Sequence, residues 1–307
     1  MALTNKLVST YTRQGRWDEA EQLEVHVLDM RKKLIGAEYP DTLLSMANLA
    51  RIYANKGNLE EAEQLEVQVL DMSKKLLGAE HPDTLRRMGG LTCTYSSQGR
   101  WDEAEQLEVQ VLGMRKKLLG AEHPDTLLSI GNLACIYSCQ EKWDEAEQLD
   151  IQVLDMRKKL LGAEHPDTLL SMANLARIYA NKGNLEEAEQ LEVQVLDMRK
   201  KLLGAQHPDT LRSMGNLVYT YSSQEKWNEA EQLGVQVLDM SKKLLGAEHP
   251  NTLLSMENLA ITYLNQEKWN EAEQLETQVL DIHKKLLGME CPDTLRSIVN
   301  LASYSTY

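Results

Sequence analysis

Phenylalanine is absent from this chain of 307 residues, and Trp and Tyr bring the aromatic share to only 5%. A sandwich or barrel leans on aromatic and β-branched side chains, and a diet of Leu, Glu, Gln, Lys and Ala serves such a fold poorly. No apolar run approaches the ~20 residues of a membrane span, and the opening MALTNKLVST lacks a signal-like apolar region. The expectation is a cytoplasmic protein without a membrane partner. Basic residues are outnumbered, 33 against 47 acidic, and the net charge of −14 argues against a whole-surface attraction to nucleic acid. Cysteine is scarce too: Cys93, Cys135, Cys139 and Cys291 make no dense disulfide framework and read as reduced thiols.

Proline is scarce in an informative way. All seven, Pro40, Pro82, Pro124, Pro166, Pro208, Pro250 and Pro292, stand 42 residues apart. A fixed period of this length marks a repeat architecture. Trp17, Trp101, Trp143, Trp227 and Trp269 keep the same step, with Leu59 and Leu185 in the two remaining places. The units are 40–81, 82–123, 124–165, 166–207, 208–249 and 250–291, with partial units 1–39 and 292–307, all read as one solenoid. Residues 40–72 and 166–198 are identical, so a block of three units is copied at an offset of 126.

Each unit carries two apolar stripes at helical spacing. In the unit from Pro124 these are Leu127, Ile130, Leu133, Ala134 and Tyr137, then Trp143, Ala146, Leu149, Val153, Met156 and Leu160. Pro-Asp-Thr suits a first helical turn and Leu-Gly a C-terminal stop, while the Gln-Gly or Gln-Glu stretch before the Trp position makes the internal turn. The unit is a helical hairpin and the fold class all-α. Armadillo and HEAT repeats share the period, but no third helix is visible.

The N-L-A-x-x-Y segment, Ala146 nine residues after Tyr137, the L-G pair and the following H-P-D-T-L resemble the 42-residue tetratricopeptide repeats of kinesin light chains. The E-A-E-x-L-x-x-Q-V-L and L-G-x-x-H-P-D-T-L phrases resemble even more closely the tandem repeats of fungal NOD-like (STAND-type) receptors. The resemblance implies a right-handed superhelical solenoid whose first helices line a concave groove. One departure stands out. The second-helix aromatic of the general pattern is replaced by Glu24, Glu66, Glu108, Asp150, Glu192, Gly234 and Glu276, and neighbouring Val25, Val67 and Ile151 are expected to take over its packing.

With the repeat Pro as position one, positions 4, 7, 10, 11 and 14 (Leu43, Met46, Leu49, Ala50, Tyr53) form the core side, and positions 5, 8, 9, 12 and 16 face away. Position 5 includes Leu44, Arg86, Arg212 and Arg296, and position 12 includes Arg51, Arg177 and Tyr219. Variation on a constant scaffold is what an extended binding surface needs, and drift at exposed sites gives the same pattern. Position 9 is nearly constant: Asn48, Asn132, Asn174, Asn216, Asn258 and Asn300. Such carboxamides can pair with the backbone of an extended peptide, or bond to a neighbouring helix. Lys6, Arg13 and the arginines above make this face basic, with Glu257 its only acid, and the acidic excess is expected on the second helices.

Other chemistry finds little support. His81, His123, His165, His207 and His249 recur in turns, the three clustered thiols lack zinc-site spacing, and the E-A-E carboxylates read as solvent-facing pairs. No phosphate loop or nucleophile elbow appears. The reading is a non-catalytic scaffold without cofactor or metal that binds a protein or an extended acidic peptide. The alternative is a ligand-sensing or oligomerisation domain of a NOD-like receptor. Met1 enters in mid-helix, and Ile298, Val299, Leu301 and Tyr304 are not wholly polar, which raises the expectation of end-to-end self-association or a neighbouring domain.

Overall fold

A computed structural model describes residues 2–289 and 291–304, apart from the side chains of residues 2–5, 13, 287, 292, 303 and 304. The expectations at Met1, Arg13 and Tyr304 fall outside it. The described residues form fifteen helices and no strand. In chain order they are α1 (Ala2–Arg13), α2 (Trp17–Leu34), α3 (Pro40–Lys56), α4 (Leu59–Leu77), α5 (Pro82–Ser97), α6 (Trp101–Leu119), α7 (Pro124–Cys139) and α8 (Trp143–Leu161). They continue as α9 (Pro166–Lys182), α10 (Leu185–Leu203), α11 (Pro208–Ser223), α12 (Trp227–Leu245), α13 (Pro250–Asn265), α14 (Trp269–Leu287) and α15 (Pro292–Tyr304). Two compact units divide them, residues 1–153 and 154–307, and each is a run of hairpins packed on their chain neighbours.

The punctuation works as its chemistry requires. Each repeat Pro opens a first helix, where its missing N–H needs no partner. The preceding His is the N-cap: Nδ1 of His81, His123, His165 and His207 accepts the amide of the Asp two residues on at 3.1–3.2 Å. The Thr at position 3 is fully buried because it ties two units together. The Thr126 hydroxyl donates to the Gly120 carbonyl, and Thr210 to Gly204, at 2.8 and 2.9 Å. Gly120 itself sits at φ 90°, open only to glycine at low cost.

The core repeats with the sequence. Leu28, Leu43, Met46, Leu49 and Val69 form one cluster, and Leu238, Leu253, Met256, Leu259 and Val279 its counterpart in the second unit. Truncating any of these buried Leu residues to Ala costs ~2–5 kcal/mol. Position 13 also goes inside, as at Ile52 and Ile178, both 0% exposed.

The second helices correct the sequence reading. Val25, Val67 and Ile151 are exposed, and so is Leu160, whereas the acids are inside: Glu24 and Glu108 are 0% exposed, Glu276 1%, Asp150 3% and Glu192 4%. The buried stripe of α2 is Ala20, Glu24, Val27, Leu28 and Arg31, a helical face carrying one acid and one base. The aromatic position of the general pattern is therefore filled by the acid itself. Its carboxyl is balanced by a buried arginine two turns later rather than by a neighbouring apolar side chain.

Candidate functional site

These buried arginines stitch each second helix to the next first helix. Arg31, Arg115, Arg157 and Arg199 each donate from one guanidinium nitrogen to a serine hydroxyl (Ser45, Ser129, Ser171, Ser213) and to the backbone carbonyl of the Asp after the repeat Pro. At the second junction the residues are exchanged. Ser73 stands on α4, and Arg87 replaces the serine on α5, where the two line one crevice. The seventh position holds His283, whose Nδ1 lies 2.9 Å from the Ser297 hydroxyl.

Burial raises the pKa of Glu24, Glu66, Glu108 and Glu276 above the usual carboxylate value, and pushes Glu192 up to about 7. Neighbouring Arg31 and Arg115 work against that rise at Glu24 and Glu108. Ser45 and Asn48 lie close to Glu24, and Ser129 and Asn132 close to Glu108, without completing a bond of normal geometry to either carboxyl. Asn300 does complete one, donating to Glu276 Oε1 at 3.0 Å. Part of the asparagine row thus faces the acids of the neighbouring helix. Among the described residues, neither Asn216 nor Asn258 hydrogen-bonds a carboxylate, and the second helix before Asn258 carries Gly234 in place of the acid.

The remaining predicted residues converge on two concavities, one in each unit. In residues 1–153, Leu44, Asn48, Arg51 and Arg86 line a hollow of about 350 Å³ over Glu66 and Val69. In residues 154–307, Arg177, Arg212, Asn216, Tyr219 and Asn258 line a larger one of about 490 Å³ over Glu192, Val237 and Ser241. Both are built from first helices as walls and second helices as floor. Asn132, Asn174 and Arg296 lie on the same first-helix positions but line neither hollow.

The arginines of this face are not equivalent. Arg86 pairs with Asp83 at 2.8 Å, Arg212 with Asp209 at 3.0 Å, and Arg296 with Asp293 at 3.2 Å and Glu257 at 3.6 Å. Arg51 and Arg177 make no ion pair among the described residues. Sequence reasoning missed the floor: Glu66 and Glu192 hold carboxyls directly beneath this basic face. The signal was available in the acid's 42-residue recurrence, which no solvent-facing position requires.

The outer E-A-E carboxylates are not solvent-facing pairs throughout. Their second members are half-buried and bridge units, with Glu21 to Lys56 at 2.5 Å, Glu63 to Arg100 at 2.8 Å, Glu105 to Lys142 at 3.0 Å and Glu189 to Lys226 at 2.7 Å. Three of these cations, Arg100, Lys142 and Lys226, also lie over the tyrosine before the turn, Arg100 4.3 Å from the Tyr95 ring centre. No group of three or more His, Cys, Asp or Glu side chains among the described residues is placed to hold a metal ion. None of their helices is long and apolar enough to cross a membrane.

Solved structures with this architecture agree. The kinesin-light-chain-type, nearly identical TPR-like repeats of Podosopora anserina are 36% identical, with a TM-score of 0.57, covering 68% of this chain and 99% of that one. A STAND protein with a tetratricopeptide repeat sensor from Pyrococcus horikoshii is 15% identical with a TM-score of 0.61, covering 98% of this chain and 44% of that protein. NprR in complex with its cognate peptide NprX is 16% identical with a TM-score of 0.62, covering 96% and 84%. No curated protein matches the chain significantly. Tetratricopeptide repeat models match residues 1–75, 84–125, 126–201, 193–243 and 219–285. With nearly its whole length so matched, the chain belongs to the tetratricopeptide repeat family.

Proposed function

We propose that this protein is a non-catalytic scaffold that holds an extended, acidic segment of a partner protein against its first helices. The observation that carries the reading is the convergence of Arg177, Arg212, Asn216, Tyr219 and Asn258 on one open hollow. Arginine supplies a planar fork for carboxylates, and the asparagine amides supply both donor and acceptor for a peptide backbone. The NprR–NprX complex supports it as an example of a protein of similar fold with a bound peptide. Free thiols at Cys93, Cys135 and Cys291 suit a reducing, cytoplasmic setting.

Arg51→Glu with Arg177→Glu is the test. The pair reverses the two unpaired groove charges and leaves the core untouched. Acidic peptides selected on the wild-type chain should bind at least tenfold more weakly, with a flatter salt dependence. Equal binding by wild type and variant would place the ligand on another face. A second reading, a sensing or oligomerisation domain within a larger receptor, draws on the STAND protein whose tetratricopeptide sensor this chain resembles in fold. In that case the same variant would leave self-association intact.

A further inference from the structure

Two positions on α12 break the buried charge pattern. The acid of the other second helices is Gly234, and the buried arginine is Ser241. The opposing serine, Ser255 on α13, does not compensate, since its hydroxyl donates back to Asn251 of its own helix at 2.8 Å. Every other described junction keeps a long polar side chain: Arg31, Arg115, Arg157 or Arg199 from the second helix, Arg87 from the first, or His283. The α12–α13 junction has two serines.

The two losses have different fates. At Gly234 the space is closed, because a Cβ there would meet Leu259 Cδ1 at 3.2 Å and Val218 Cγ1 at 3.8 Å. At Ser241 it stays open and becomes the floor of the 490 Å³ hollow. Around it stand Val237 and Leu245 of α12, Leu211 of α11 and Leu254 of α13, while Arg177 and Arg212 form the charged rim. Leu254 is 54% exposed, a large apolar side chain at the mouth of an apolar recess. At the other end Glu192, 4% exposed, leaves Oε2 without a hydrogen bond of normal geometry within the protein.

We propose that this recess is a socket for one large apolar side chain, of Leu, Met or Phe size, in a peptide whose flanking acidic residues reach Arg177 and Arg212. The proposal rests on the groove reading above and adds a specificity position to it. Charge complementarity sets the flanks, because the rim is cationic. The Ser241 end of the recess has lost the base that fills the equivalent space at other junctions, so an apolar side chain enters there without displacing a buried cation. At the corresponding place in residues 1–153, Arg115 bonds Ser129 and Asp125 at 2.8 and 3.0 Å and fills the space a ligand would use.

The test uses three labelled ten-residue peptides, alike in their Asp and Glu flanks, with Leu, Phe or Ala at the centre, titrated into the full chain. Wild type should bind the Leu and Phe peptides about tenfold or more tightly than the Ala peptide. Ser241→Arg should erase that preference, so that the Leu, Phe and Ala peptides bind the variant alike. Leu254→Ser, at an exposed rim position, should also reduce the preference, and circular dichroism checks helicity in both variants. Equal binding of all three peptides to wild type, with loss of all three on Arg177→Glu, would overturn the socket and keep the groove. Binding of none would overturn both.

Discussion

Residues 40–72 and 166–198 are identical, yet the hollows they help to build differ. After the first copy the chain reads Ser73 and then Arg87, Gly90 and Cys93; after the second it reads Arg199 and then Ser213, Asn216 and Tyr219. The buried cation is thus delivered from opposite sides of the same junction. In the first unit Arg87 lies near Glu66, whose carboxyl comes within 3.3 Å of a Cβ built on Gly90. In the second, Arg199 turns instead to Ser213 and Asp209, and Glu192 gains no cation among the causes of its raised pKa. A tetratricopeptide scaffold can therefore stay constant in its hairpins while two or three side chains decide where the groove is charged and where it is open.

The largest effect expected from this comparison comes from breaking one delivery route. Arg87→Ser alone should destabilise the chain by about 3 kcal/mol, because it removes a cation beside the buried Glu66 carboxyl. Adding Ser73→Arg recreates the Arg199–Ser213 arrangement and should recover part of that loss through the junction bonds, though not the part that belongs to Glu66, since Arg199 leaves Glu192 without a cation. Urea denaturation of the two single variants and the double closes the cycle, and strict additivity of the two changes would refute the exchange.

A smaller effect concerns Glu192. Its pKa of about 7 in the folded chain, against the ordinary 4.5, means that the unfolded state gives up the proton first as pH rises. The stability linked to this group is fully present below about pH 4.5 and is lost as pH climbs through 7. Glu192→Gln removes the cost of the buried charge, so the variant should exceed wild type by about 2 to 3 kcal/mol at pH 8 and converge on it in acid. Thermal melts of both proteins across that range give the difference directly. A constant gap at all pH values would mean that the carboxyl is not held out of water.

The hairpins and most first-helix core positions were legible, because each rests on a signal carried by residue type at fixed spacing: proline where no donor is needed, glycine at positive φ, Leu and Ala at three and four. The place of the histidines in the turns before proline was legible too, but not that their Nδ1 atoms cap the following helices. The floor was not legible. Hydropathy assigned the packing role to Val25 and Val67, one residue and about 100° from Glu24 and Glu66. In the fold, the stripe through Ala20, Val27 and Leu28 passes over Glu24 and Arg31. An acid and a base seven residues apart can occupy a buried face together, and a scale that scores residues singly cannot see it. The groove asparagines split for a related reason: Asn48 and Asn132 lie close to buried carboxyls, whereas the helix before Asn258 carries Gly234 where the other second helices carry the acid.

The central claim, that ligand lies against the first helices, is tested most directly by photo-crosslinking. A photoreactive residue placed at Tyr219, 54% exposed on α11, reports on the groove, and one at Val235, 38% exposed on α12, reports on the outer face of a second helix. An acidic peptide retained by the wild-type chain should be captured from Tyr219 and not from Val235. Capture from Val235 alone would contradict the account.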